Sequence, residues 1–250
     1  VTADTPVPGA RPFHADGGRV GVLLLHGFSS VPGSFYGLAT VLAGSGYTVS
    51  APLLPGHGTT LDALQASTWR EWRDCAVTHF EALRACCDHV VVIGHSMGGA
   101  LAVSLGARDP SVAAFVMINP QLLWPAEAAA EVAALLGRGV VLGAPIGGDI
   151  KKGGGRPPTM SHTPLLALQQ LFDALPEVAA SLGKLTAPIL LLSSREDHVV
   201  PPSNGDALVE DAPSVTRYWL DESYHVAMVD NDAERINAYV LEFLAKEIIA

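Results

Sequence analysis

Residues 89–100 read His89-Val90-Val91-Val92-Ile93-Gly94-His95-Ser96-Met97-Gly98-Gly99-Ala100. Val90 to Ile93 form a continuous apolar run of strand length, and the spacing predicts a strand over His89–Ile93 and a helix over Gly98–Ala107. Between them stands a G-x-S-x-G, Gly94 to Gly98. A strand that turns directly into a helix leaves no room for side chains beside the turn, so glycines must flank it. Gly99 then lets the helix pack closely beneath. The serine hydroxyl is held out at the end of the sheet, which is the geometry of a nucleophile elbow. A glycine-rich turn with a capping serine is the plainer reading, and the strand–turn–helix setting argues against it.

Outward from this turn the chain alternates. Val20–Leu25, Tyr47–Ala51, Ala113–Ile118, Ile189–Leu192 and Ser214–Leu220 read as strands. Ser34–Ala43, Trp69–Ala85, Asn204–Val209 and Asp232–Ala245 read as helices. Unbroken apolar strands alternating with helices imply a mostly parallel sheet covered on both faces. The rhythm breaks after Pro120. Ala126–Leu136, Leu165–Leu175 and Glu177–Leu182 have helical character, while Gly137 to Thr163 is rich in Gly and Pro and includes Gly153-Gly154-Gly155. Residues 121–184 are therefore expected to be a cap insertion that divides one core into residues 1–120 and 185–250. Insertions between strands fall at the sheet end where ligands bind in open α/β folds.

Composition narrows the function. With 49% hydrophobic and 16% charged residues, the 250-residue chain has ample apolar surface for a core. A net charge of −10 is opposed to phosphate binding, so no nucleic-acid partner is expected. Cys75, Cys86 and Cys87 have neither disulfide nor metal-site spacing, and read as packing residues in a reducing compartment. Val1 to Gly18 has no long apolar run and does not read as a signal peptide. The greasy stretches are strand-length, so no transmembrane segment is expected. A cytoplasmic enzyme that touches lipid surfaces at most transiently is the expectation.

A serine hydroxyl needs a base to take its proton. His225, in Ser223-Tyr224-His225-Val226, follows the last strand and precedes the last helix. Asp197, in Arg195-Glu196-Asp197-His198, follows the strand Ile189–Leu192 and is the candidate to hold the imidazole in one tautomer. The chain order Ser96, Asp197, His225 belongs to one class of hydrolase and not to the chymotrypsin or subtilisin classes. Glu196, Asp221 and Asp230 are rival acids. His95 and His198 adjoin the key residues and are expected to point elsewhere, while His26 and His57 sit on loops near the same sheet end and are expected to have structural or substrate-contact roles. Backbone N–H groups must stabilise the oxyanion. The N–H of Met97, at the helix start, and that of Phe28, in the loop His26-Gly27-Phe28-Ser29, are the candidates, and both side chains are expected to line the pocket.

These motifs together resemble the esterase and monoacylglycerol lipase branch of the α/β-hydrolases, especially the small bacterial monoacylglycerol lipases. His26-Gly27-Phe28 resembles the family's oxyanion loop and Pro55-Gly56-His57-Gly58 its GHG turn. Glu196-Asp197-His198-Val199-Val200-Pro201-Pro202 resembles the acid loop, and Ser223-Tyr224-His225-Val226 the histidine loop. The matches span nearly the whole chain. The resemblance implies an α/β-hydrolase fold with a small cap. It also implies ester cleavage through an acyl-enzyme, no cofactor, Ser96 as nucleophile, Asp197 as acid and His225 as base. His95 departs from the nearest lipases and agrees with many esterases. The glycine-rich Gly147–Gly155 also departs, and bears on cap shape and on the alcohol half of the substrate.

A small-molecule ester, monoacylglycerol first, is thus the expected substrate, with a short-chain carboxylesterase as the alternative. The leucines of the cap, such as Leu122, Leu165, Leu168 and Leu171, suit either an acyl pocket or ordinary helix packing. A thioesterase would use the same site. A peptidase would need a charged anchor, for which Glu127 and Glu131 are poor candidates. A non-enzymatic binding protein would have no use for the triad.

Overall fold

The apolar runs are continuous because their strands are buried on both faces, where each enclosed Leu or Val contributes roughly 2 kcal/mol. A computed structural model describes residues 7–153 and 159–249. Its main sheet has seven strands: β1 (Phe13–Ala15), β2 (Val20–Leu25), β3 (Thr48–Ala51), β4 (His89–His95), β5 (Ala114–Ile118), β8 (Ile189–Ser194) and β9 (Val215–Leu220). The order is β1-β3-β2-β4-β5-β8-β9. Only β1 is antiparallel. Alternate residues serve opposite faces. Leu23 and Leu25 pack in one core with Trp72, Phe80 and Leu101, and Val22 and Leu24 in the other with Phe35, Leu38 and Ile236.

The first layer contains α3 (Trp69–Arg84), α4 (Met97–Gly106) and α6 (Leu165–Ala179), and the second contains α1 (Tyr36–Gly44) and α8 (Ala233–Leu244). The shorter helices are α2 (Leu61–Ala66), α5 (Ala126–Gly137) and α7 (Ser203–Asp211). Thr68 and Glu71 close a reciprocal capping box on α3, and Thr60 caps α2 by accepting from the Ala63 N–H at 3.1 Å. Both caps are written in the sequence, yet six residues make α2 too short for a periodic signal.

The structure adds two elements that the sequence reading did not assign and corrects one that it did. The N-terminal stretch, for which the sequence predicts no strand, contributes β1, whose three residues pair with β3 (Phe13 opposite Ala51). Such a strand exists only through its partner. The two helical pieces on either side of Pro176 are one helix, α6, with the proline inside its last turn. The Gly/Pro-rich stretch between α5 and α6 holds a two-stranded ladder, β6 (Leu142–Gly143) with β7 (Thr163–Pro164). Gly154 and Gly155 of the glycine run, and Val1 to Pro6 of the N-terminal stretch, lie outside the described residues. No helix among the described residues is long and apolar enough to cross a membrane.

Candidate active site

Strands β4, β5, β8 and β9 run parallel and release their loops at one edge of the sheet. At the end of β4, Ser96 adopts φ 52° and ψ −119°, a strained conformation for a residue with a Cβ. The glycines around it are obligatory. A Cβ on Gly98 would stand 1.9 Å from the Leu25 carbonyl oxygen, and one on Gly94 would stand 2.3 Å from the Gly98 oxygen. The turn is tied down by backbone bonds from the Ser96 N–H to Ile118 O (3.2 Å) and from Gln121 N–H to Ser96 O (3.1 Å).

His225 and Asp197 come together as a buried pair. The imidazole Nδ1–H donates to Asp197 Oδ2 at 2.8 Å, and Asp197 Oδ1 accepts from the N–H groups of Val199 (2.9 Å) and Val200 (2.8 Å). Burial raises the Asp197 pKa, but the bond and charge of His225 and the two backbone donors outweigh it and leave the carboxyl below its ordinary range. Ser96 and His225 line one cavity of about 500 Å³. Phe28, Leu168, Leu171, Phe172, Val199 and Val200 form its apolar wall. With Nδ1 committed to Asp197, Nε2 is the imidazole nitrogen left free to accept a proton, and Ser96 lines the same cavity as His225.

The rival acids are occupied elsewhere. Asp221 pairs with Arg195 at the surface, and Glu196 faces Lys151. Asp230 is buried and accepts four backbone N–H bonds, from Lys151, Lys152, Tyr224 and Asn231.

The oxyanion candidates are held from behind. Met97 begins α4, so its N–H is one of the helix's uncommitted donors. The N–H of Phe28 has no acceptor among the described residues. The Met97 side chain is a correction: it lies fully buried in the core and takes no part in the cavity wall. The Phe28 ring does line the cavity and stands edge-on to His57 and Trp72, 5.9 Å from each. His26 Nδ1–H donates to Gly27 O (2.9 Å) while its Nε2 accepts from the Leu54 N–H (3.1 Å). His57 donates from Nδ1 to Pro55 O at 3.0 Å. Neither ring reaches the cavity, so both brace the loop that carries Phe28.

His95 and His198, expected to point elsewhere, are a further correction: both line the cavity, and His95 braces His225. The His95 Nε2–H donates to the carbonyl oxygen of His225 at 3.0 Å, and its ring packs 4.7 Å from the His225 ring. Asn119 went unnoticed in the sequence, where it reads only as a strand end. With φ 44° it donates from Nδ2 to the His225 carbonyl and to Ser194 Oγ, both at 2.9 Å, and accepts from the Ser194 N–H at 2.7 Å.

Three of these histidines are buried and neutral. Burial, helped by His225, pushes His95 down to about 3, and burial, helped by His57 and His95, pushes His26 well below the ordinary range. Burial alone pushes His57 down to about 4. In the unfolded chain each titrates near 6.5. Their stabilising contribution is therefore complete above pH 6.5 and is lost as pH falls from there towards about 4. Unfolding in that window should take up protons, at most one per histidine, so stability should fall as the pH is lowered through it. Urea melts at pH 7.5, 6.5, 5.5 and 4.5 test this, and stability independent of pH between 7 and 5 would overturn it.

The comparisons with known proteins agree with this geometry. The model of the alpha/beta hydrolase family matches residues 22–238. A thermostable monoacylglycerol lipase from Bacillus sp. (strain H-257) is 37% identical over 95% of both chains. A carboxylesterase from Bacillus subtilis (strain 168) is 26% identical over 94% of this chain and 96% of the relative. A solved structure from work on LipS and LipT, two metagenome-derived lipolytic enzymes, superposes with a TM-score of 0.92. It is 37% identical and covers 97% of this chain and 100% of that one. With its parallel sheet and serine elbow, the chain belongs to the alpha/beta hydrolase family, in the esterase and lipase group related to bacterial monoacylglycerol lipases and carboxylesterases, and is a carboxylic ester hydrolase.

Proposed function

We propose that the protein hydrolyses monoacylglycerols to a fatty acid and glycerol, with Ser96 as nucleophile, His225 as base and Asp197 as the acid that orients it. Ser96 Oγ attacks the ester carbonyl while His225 Nε2 takes its proton. The tetrahedral oxyanion is held by the N–H groups of Phe28 and Met97. Collapse expels glycerol, protonated by His225, and leaves an acyl-serine. Water, deprotonated by His225, then releases the fatty acid and restores the hydroxyl. Residues 121–184 act as the cap over this site.

The observation that carries the substrate reading is the apolar wall that α6 turns toward Ser96, with Leu168, Leu171 and Phe172 beside Val199 and Val200. A single acyl chain fits a cavity of about 500 Å³; three chains on one glycerol do not. The 37% identity to a monoacylglycerol lipase supports the same choice. Each buried methylene contributes roughly 0.8 kcal/mol, so specificity should rise with chain length until the wall is covered and then level off. Monoacylglycerols from C4 to C18, compared as kcat/KM below their critical micelle concentrations, test this. A maximum at C4 with steady decline would sink it and leave a short-chain carboxylesterase.

A further inference from the structure

One carboxylate of the cap segment reaches both loops that hold the acid and the base. Asp149 follows Gly147 and Gly148, both at positive φ, and points inward with a side chain 18% exposed. Its Oδ2 accepts two backbone N–H bonds, from His225 at 3.1 Å and from His198 at 3.2 Å. Oδ1 pairs with His198 Nδ1 at 3.0 Å, and the Asp149 carbonyl accepts from the Val226 N–H at 3.0 Å. The strand of chain continues as Lys151 and Lys152, whose N–H groups are both bound by Asp230, the carboxylate that also holds Tyr224.

We propose that Asp149 is a positioning residue for the ester hydrolysis, fixing the separation between the acid loop and the histidine loop. The proposal rests on the reading of Asp197 and His225 as acid and base. His198 adjoins Asp197, so a single oxygen of Asp149 bridges the backbone next to the acid and the backbone of the base itself. The 2.8 Å bond from His225 to Asp197 is made by two side chains on different loops. The other ties between these loops, the His198 ring against Tyr224 at 4.4 Å and the Arg195–Asp221 pair, lie away from the backbone of residue 225 itself. The cap segment thereby helps to set the geometry of the reacting groups. The other charged neighbours, Lys151 with Glu196 and Glu222, lie on the solvent side and pair among themselves.

The test compares Asp149→Ala, Asp149→Asn and Asp149→Glu in the full chain. Two readings are taken: kcat and KM on a soluble ester, and the low-field proton resonance of the His225 Nδ1–H. Alanine removes both carboxylate oxygens, leaving only the backbone bond to Val226, and should lower kcat roughly 10–100-fold with little change in KM, the scale of a misplaced catalytic group. It should also weaken or shift the resonance. Asparagine keeps an oxygen for the two N–H groups without the charge, and should recover most of the lost kcat together with the resonance. Glutamate keeps the charge but displaces it by a methylene, and should resemble alanine. A wild-type kcat and resonance in Asp149→Ala would overturn the proposal. A rise in KM alone would also overturn it and make Asp149 a substrate contact. If the alanine variant does not fold, the other two decide: an active glutamate variant beside an impaired asparagine variant overturns the proposal. The resonance reports the His225–Asp197 pair whether or not Ser96 is the nucleophile, so this proposal and the catalytic reading can fail separately.

Discussion

Replacing Ser96 by alanine is expected to lower kcat on any ester by roughly 10⁴–10⁶-fold, the cost of losing a triad nucleophile, while the thermal midpoint stays close to wild type. The hydroxyl makes no hydrogen bond among the described residues, so its removal strands no partner. Alanine has the same Cβ as serine, so the strained φ of 52° becomes neither easier nor harder to hold. The two readings must be taken together. A variant that unfolds says nothing of chemistry, whereas a folded variant with more than about one-tenth of wild-type kcat would remove Ser96 from the mechanism.

Asp197→Asn should be nearly as damaging, at roughly 10⁴-fold in kcat, and the hydrogen bonds say why. Asp197 Oδ1 accepts from two backbone N–H groups, those of Val199 and Val200. In the asparagine variant these donors demand the amide oxygen. The NH₂ group must then face His225 Nδ1, which becomes an acceptor, and the imidazole proton moves to Nε2, the nitrogen required as the base. The variant is the right shape with the wrong tautomer. Asp221→Asn, which only loosens a surface pair with Arg195, should change kcat little. Asp230→Asn weakens four backbone bonds and should lower stability more than kcat. A crippled Asp221 or Asp230 variant beside an active Asp197 variant would reassign the acid.

Much of this architecture is legible in the sequence because the strands are buried on both faces. Val20–Leu25 and His89–Ile93 have to be continuous apolar runs, and a continuous run is easy to see. The serine turn is legible for a steric reason: no residue but glycine fits at 94 or 98. That Asp197 and His225 lie close together is legible because each follows a strand, and parallel strands put their ends at one edge. What escaped depends on partners remote in the chain. β1 is a strand because β3 lies beside it. Asn119 and Asp149 act through backbone groups of residue 225, some 106 and 76 positions away, and a bond to an N–H or a carbonyl leaves no mark on the identity of the partner. The sequence marks Met97 only through the place of its N–H at the start of α4, and that place does not fix where its side chain goes, which is into the core.

Helix α6 has two duties. Leu168, Leu171 and Phe172 border the cavity, yet the same residues belong to the core beneath the sheet, together with Leu175 and Val178, and pack with α3 and α4. The wall of the cavity is thus cut into a supporting beam. Widening the cavity at these positions would remove packing from the domain itself, so a shift toward longer or bulkier acyl groups carries a loss of thermal tolerance unless the vacated volume is refilled from the far side. Selection for new substrates in this lineage is therefore coupled to heat resistance, and variants with altered chain preference should emerge most readily from parents that begin with stability to spare.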